Sequence, residues 1–112
     1  MITKDDYIKF SGIDLEQELK NNYDISDPVN MVLKRIETTA EAMLKDIYDN
    51  ADFDTKVAKH EDKYKEGMLW QINYIIQNGE LYNMVDANPN KYLAPMAIFI
   101  WRNIGLCNLR RY

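Results

Sequence analysis

Two residues carry side chains suited to catalysis: His60, in the stretch AKHEDKYKE, and Cys107, in GLCNL. An imidazole beside Glu61 and Asp62 offers the parts of an acid–base pair. Adjacent residues on a helix point in different directions, however, and the surrounding charge makes a solvated position the expectation for His60. A metal site needs several ligands at set spacing, and neither residue has a second of its kind. For Cys107 to act as a nucleophile the fold would have to deliver a base, yet the lone histidine is distant in sequence. A small buried hydrophobe is therefore the expected role for this thiol. The glycines, Gly12, Gly67, Gly79 and Gly105, stand singly, so neither a phosphate-cradling loop nor a serine elbow is present. These residues give no positive support for an enzyme, a cofactor or a metal.

The aromatic residues suggest a different role. Eight tyrosines and two tryptophans in 112 residues are many, and both types suit places where one end of a side chain is apolar and the other wet, as at protein interfaces. Trp70, Tyr74, Tyr82, Tyr92 and Tyr112 are the candidates, with burial in a helical core the competing role for Trp70 and Tyr74. The net charge of −4, from 14 basic and 18 acidic residues, argues against a dedicated nucleic-acid binder, which carries a basic face to replace phosphate counterions. A single cysteine permits no internal disulfide, and the start MITKDDYIKF lacks the pattern of a signal peptide. No apolar run approaches the roughly 20 residues of a membrane span. The expectation is one soluble, intracellular domain with a modest core.

The elements follow from stop and start signals. TKDD forms a capping box, Thr3 with Asp6, and opens a short helix that Gly12 ends; Asp14 then caps a second short helix over LEQELKNN. Asp27 at the cap and Pro28 in the first turn begin a long helix. In it Val29, Val32, Leu33, Ile36, Ala40, Met43, Leu44 and Ile47 draw one apolar stripe, and Lys34, Glu37, Glu41 and Lys45 form the solvated face. A second long helix is expected from Thr55 to Asn78, with Val57, Tyr64, Met68, Ile72, Ile75 and Ile76 inward. Gly67 interrupts it, and close approach of another helix explains a glycine there. The stretch GELYNMVDANPNKY reads as a loop, with ELYNMV able to make a brief strand. A last helix begins near Tyr92, takes Pro95 in its first turn, and turns Leu93, Met96, Ala97, Ile100, Trp101 and Ile104 inward until Gly105. Ile98 and Phe99 widen its apolar girth beyond one core face.

Taken together, ITKDDYIKFSGIDL, VLKRIETTAEAMLKDI, LWQINYIIQNG and YLAPMAIFIWRNIGLCNLRRY resemble the head-tail connector (adaptor) proteins of long-tailed bacteriophages, those with Gram-positive hosts most closely. QINYIIQNG and GLCNLRRY carry the resemblance best, being similar to that family's Gln-centred second helix and its Gly-Leu, arginine-bearing C-terminus. The resemblance implies a structural protein of the virion neck, assembled in the host cytoplasm as a dodecameric ring between the portal and a stopper or other neck protein. DNA passes through the lumen without sequence-specific binding, and no catalysis, cofactor or membrane is involved.

The expected fold class is all-α: a small bundle with two long helices, a shorter C-terminal helix, short N-terminal helices and an extended C-terminal tail. Residues 1–105 make the connector domain and residues 106–112 the segment that docks on the portal. In that segment Leu106 and Leu109 fill pockets, Arg110 and Arg111 pair with carboxylates, and Tyr112 adds to the contact. Tyr82, Met84, Tyr92 and Phe99 are candidates for contacts with neighbouring subunits or neck proteins. An acidic chain suits a ring that must let a DNA duplex slide, and repeated weak tails give avidity. A small regulatory module that binds a protein or peptide through its aromatic residues is the alternative.

Overall fold

The computed structural model describes residues 2–22, 28–48, 52–78 and 92–107. Within them lie six helices: α1 (Lys4–Ser11), α2 (Leu15–Asn22), α3 (Val29–Ile47), α4 (Phe53–Lys59), α5 (Glu61–Gln77) and α6 (Pro95–Asn103). No strand occurs among the described residues, and the class is all-α. The segment ELYNMV and residues 108–112 lie outside the described residues.

Local chemistry sets the helix ends. The Thr3 hydroxyl accepts the Asp6 N–H at 3.2 Å while the Asp6 carboxylate accepts the Thr3 N–H at 3.0 Å, which completes the capping box. The bond from the Thr3 amide holds the Asp6 carboxyl below the usual carboxylate range. Gly12 ends α1 in the left-handed region, φ 75°, with its N–H on the Ile8 carbonyl at 2.8 Å. Asp14 opens α2 by accepting the Glu16 N–H at 3.1 Å. At α3 the boundary moves by one residue from expectation, because Pro28 itself occupies the cap and its carbonyl receives the Met31 N–H at 3.0 Å.

Helix α5 is the hub: α1, α3, α4 and α6 all pack on it, α6 most extensively. Its buried residues, Tyr64, Gly67, Met68, Gln71, Ile72, Ile75 and Ile76, recur at spacings of three and four and so form one continuous stripe. Helix α3 contributes Val32, Leu33, Ile36, Ala40 and Leu44, and α2 contributes Leu15 and Leu19. Trp70 and Tyr74 are half-buried against this core, and Phe10 of α1 meets Trp70 edge to face with ring centroids 5.0 Å apart.

Gly67 marks the closest approach. A Cβ at this position would fall 2.3 Å from Nε1 of Trp101, so only glycine lets the buried indole lie on the α5 backbone. The ring is fixed there by its N–H, which donates to the Tyr64 carbonyl at 3.2 Å.

The expected helix from Thr55 to Asn78 is instead two helices. His60, φ −128° and ψ 46°, leaves helical geometry and serves as both the end of α4 and the start of α5. Tertiary contacts fix the bend. The Lys56 ammonium donates to the Gly105 carbonyl at 3.0 Å, and Phe53 packs edge to face on Tyr64 at 6.4 Å. His60 is exposed, as expected.

Candidate interaction surface

The C-terminal part of the described chain is built on a fully buried side chain. Gln71 donates from Nε2 to the Tyr92 carbonyl at 2.9 Å and accepts the Ala94 N–H on Oε1 at 2.7 Å. One amide thus satisfies two buried backbone groups and sets the chain that leads into α6. Pro95 then takes the first helical position, where its missing N–H costs no bond.

Helix α6 turns Ala97, Ile100 and Trp101 into the core. Its other side is a stripe of Pro95, Met96, Phe99, Arg102 and Asn103, all exposed. Met96, expected to face inward, is 46% exposed, because α5 approaches through Gly67 and meets only the arc centred on Trp101. Phe99 is 60% exposed, an unusual state for a large aromatic side chain.

The helix closes in a Schellman turn. Gly105 adopts φ 81°, its N–H bonds the Arg102 carbonyl at 3.1 Å, and the Leu106 N–H bonds the Trp101 carbonyl at 2.9 Å. This turn folds Leu106 back onto the protein, where it is 0% exposed. The expectation that Leu106 belongs to a docking tail is therefore corrected: Leu106 and Cys107 are core, and any free segment begins after them. Burial also pushes the Cys107 thiol up to about 12, the value of an inert structural cysteine rather than a nucleophile. Leu109, Arg110, Arg111 and Tyr112 lie outside the described residues, as do Tyr82 and Met84.

Tyr92 requires a second correction. Expected at a subunit or neck-protein contact, it is 1% exposed and donates its hydroxyl to the Ile36 carbonyl at 3.4 Å. Of the candidate contact residues that are described, Phe99 alone is open.

A third correction concerns α3. Glu37 and Glu41 do not belong to a solvated face. The Tyr64 hydroxyl donates to Glu41 and lies 3.4 Å from Oε1 of Glu37, whose other oxygen accepts the buried Ile2 N–H at 3.3 Å. Burial, reinforced by the two carboxylates, pushes the Tyr64 phenol far up. Sequence periodicity missed this network because the groups that reach Glu37 and Glu41 come from α5 and from the segment before α1.

Beside the network lies a cleft of about 310 Å³ between α3, α4 and α5. Phe53, Val57, Ala58 and Tyr64 form its apolar walls; its charged lining is Glu41, Asp54, Glu61 and Lys65. The ammonium of Lys45 sits 4.8 Å from the Phe53 ring centroid, a cation–π contact. Comparison with protein-family models, curated proteins and solved structures finds no match. Among the described residues no three His, Cys, Asp or Glu side chains gather as metal ligands, and no helix is long and apolar enough to cross a membrane. What the described surface offers is an exposed stripe on α6 that includes Met96 and Phe99, and a cleft whose charged lining is mostly carboxylate.

Proposed function

We propose that the chain is a structural head-tail connector of a bacteriophage neck, forming a ring of copies between the portal and a stopper or other neck protein around the DNA exit channel. The observation that carries this reading is the outer stripe of α6. Met96 and Phe99 stay exposed on a helix whose opposite side and C-terminal turn are locked into the core, so the stripe is rigidly presented for a partner. The sequence resemblance supplies the class of partner, and the acidic net charge suits a channel that must not hold DNA. Residues 108–112, with Leu109, Arg110, Arg111 and Tyr112, are assigned to the portal; Phe99 is assigned to a neighbour in the neck.

The test is to mix the purified chain with portal assemblies from the same source and measure added mass by sedimentation and electron microscopy. A chain ending at Cys107, which retains the core residues Leu106 and Cys107, serves as the comparison. Ring-shaped density on the portal with the full chain, lost with the shortened one, is the expected result. A folded full-length chain that adds no mass to portals refutes the connector reading and favours a regulatory protein-binding module.

A further inference from the structure

We infer that the α6 stripe of one copy docks into the α3–α4–α5 cleft of the next, Phe99 entering between Phe53 and Val57 while Arg102 pairs with Asp54 and Glu61. The inference rests on the connector reading only for closure of the contacts into a ring; the pairing itself is argued from the two surfaces.

The surfaces match in apolar character and in charge. Phe99 and Arg102 are three residues apart, so they project side by side from one face of α6. An aromatic ring next to a guanidinium calls for an apolar pocket with carboxylates at its side. The cleft has that composition: apolar walls of Phe53, Val57 and Ala58, and three carboxylates beside the Lys65 ammonium, with the Lys45 ammonium held over the Phe53 ring. Glu41 is engaged by Tyr64, which leaves Asp54 and Glu61 to receive a cation. Both are exposed, as is Arg102, and none of the three forms a salt bridge among the described residues. A guanidinium is well suited to bridging two carboxylates because its donors form a fixed fork.

No residue belongs to both surfaces, so the contact is heterologous. A two-fold dimer would use one patch on both copies; a stripe meeting a different cleft passes from copy to copy and generates a ring or an open filament. Each contact is small, one aromatic anchor and one ion-pair cluster, so isolated copies associate weakly and closure supplies the avidity.

The test follows amide ¹H–¹⁵N resonances of the full chain as concentration rises to the millimolar range. Residues 96–103 and residues 53–61 should shift together with a single dissociation constant, and Phe99→Ala should weaken association about tenfold or more. Charge reversal then decides the pairing. Arg102→Glu leaves stripe and cleft both negative; Asp54→Arg with Glu61→Arg leaves both positive. Neither variant should self-associate, while an equimolar mixture should, since each stripe then faces an opposite cleft. These positions are exposed but each carries the charge its helix end favours, so the reversals should lower unfolding midpoints slightly while leaving every variant folded at the temperature of the titration.

Wild-type copies that show no concentration-dependent shift, shifts confined to one surface, or a mixture that stays monomeric would each overturn the inference. Portal binding measured in parallel separates it from the connector reading. Charge-reversed copies that individually load as complete rings defeat the inference and leave the connector, whereas copies that self-associate as described but ignore portals defeat the connector alone.

Discussion

Replacing Gly67 with alanine adds a single methyl group at the tightest place in the protein. The new Cβ would lie 2.3 Å from Nε1 of Trp101 and 2.7 Å from both Cδ1 and Cε2. These are atoms of a rigid ring that is 0% exposed, so the clash cannot be relieved by swinging a flexible chain end into solvent. Overpacking of this kind costs about 1–3 kcal/mol. Displacing the indole also strains or breaks its bond to the Tyr64 carbonyl, and a buried donor without a partner costs about 1–3 kcal/mol more. Alanine returns about 1 kcal/mol through its better helix propensity, which leaves a net loss of about 3 kcal/mol. For a chain of this size that lowers the midpoint of thermal unfolding by on the order of 10–20 °C. Far-UV circular dichroism against temperature and urea measures both quantities. In a Trp101→Phe background, which removes the N–H and the five-membered ring, the same Gly67→Ala change should cost at least about 1 kcal/mol less, the coupling expected of side chains in contact. A Gly67→Ala chain as stable as its parent would refute the close-packing argument, and the centrality of the α5–α6 contact with it.

Gln71→Leu keeps similar bulk but leaves the Tyr92 carbonyl and the Ala94 N–H unpaired, so stability should fall by about 2–4 kcal/mol; urea unfolding and faster hydrogen exchange at the Ala94 amide are the readouts. Burial raises the Cys107 thiol from an ordinary value of 9.0 to about 12. Stability from this group is therefore complete below pH 9 and lost as pH rises towards 12, because the unfolded chain ionises first. Tyr7, Tyr64 and Tyr92 are shifted upward from 10.0 and act with the same sign. Urea midpoints should accordingly decline above pH 9, less steeply in Cys107→Ala, and iodoacetamide should modify Cys107 only on unfolding. At the acid end, Asp6 is lowered by the Thr3 amide, so its contribution is present above the ordinary carboxylate value of 3.8 and fades as pH falls; Asp6→Asn should flatten that part of the stability profile. Thr3→Ala should lower stability by about 1 kcal/mol through the lost cap, measured by thermal unfolding.

The helix ends and most core positions were legible because they depend on short-range chemistry. Thr3 with Asp6, Asp14 before α2, and Gly12 and Gly105 at left-handed positions each act within one turn, and apolar spacing located nearly all the buried residues of α3 and α5. Even Gly67 could be read, since a glycine inside an otherwise strong helix needs a reason and close backbone approach is the common one. The break at His60 was harder to see, because AKHEDK contains no glycine or proline. One signal was present: Lys56 and Lys59 fall at the end of α4, and Glu61 and Asp62 at the start of α5, the charge order that helix dipoles favour at a junction.

The remaining surprises share one cause, a distant segment meeting a residue whose local pattern points elsewhere. Glu37 looks solvated on the α3 wheel, but Ile2 and Tyr64 arrive from outside that helix and bury it. Leu106 looks like the start of a tail because it follows a helix-ending glycine. The same glycine permits the Schellman turn that carries Leu106 back into the core. Met96 looks inward by spacing alone, yet among the described helices α6 packs extensively on α5 alone, and a helix held along one arc leaves the residues of the other arc exposed. Burying Met96 and Phe99 within the monomer would have required another helix against α6, and without one among the described residues the exposed stripe makes α6 the element where binding to a second molecule would gain most from removing apolar surface from water.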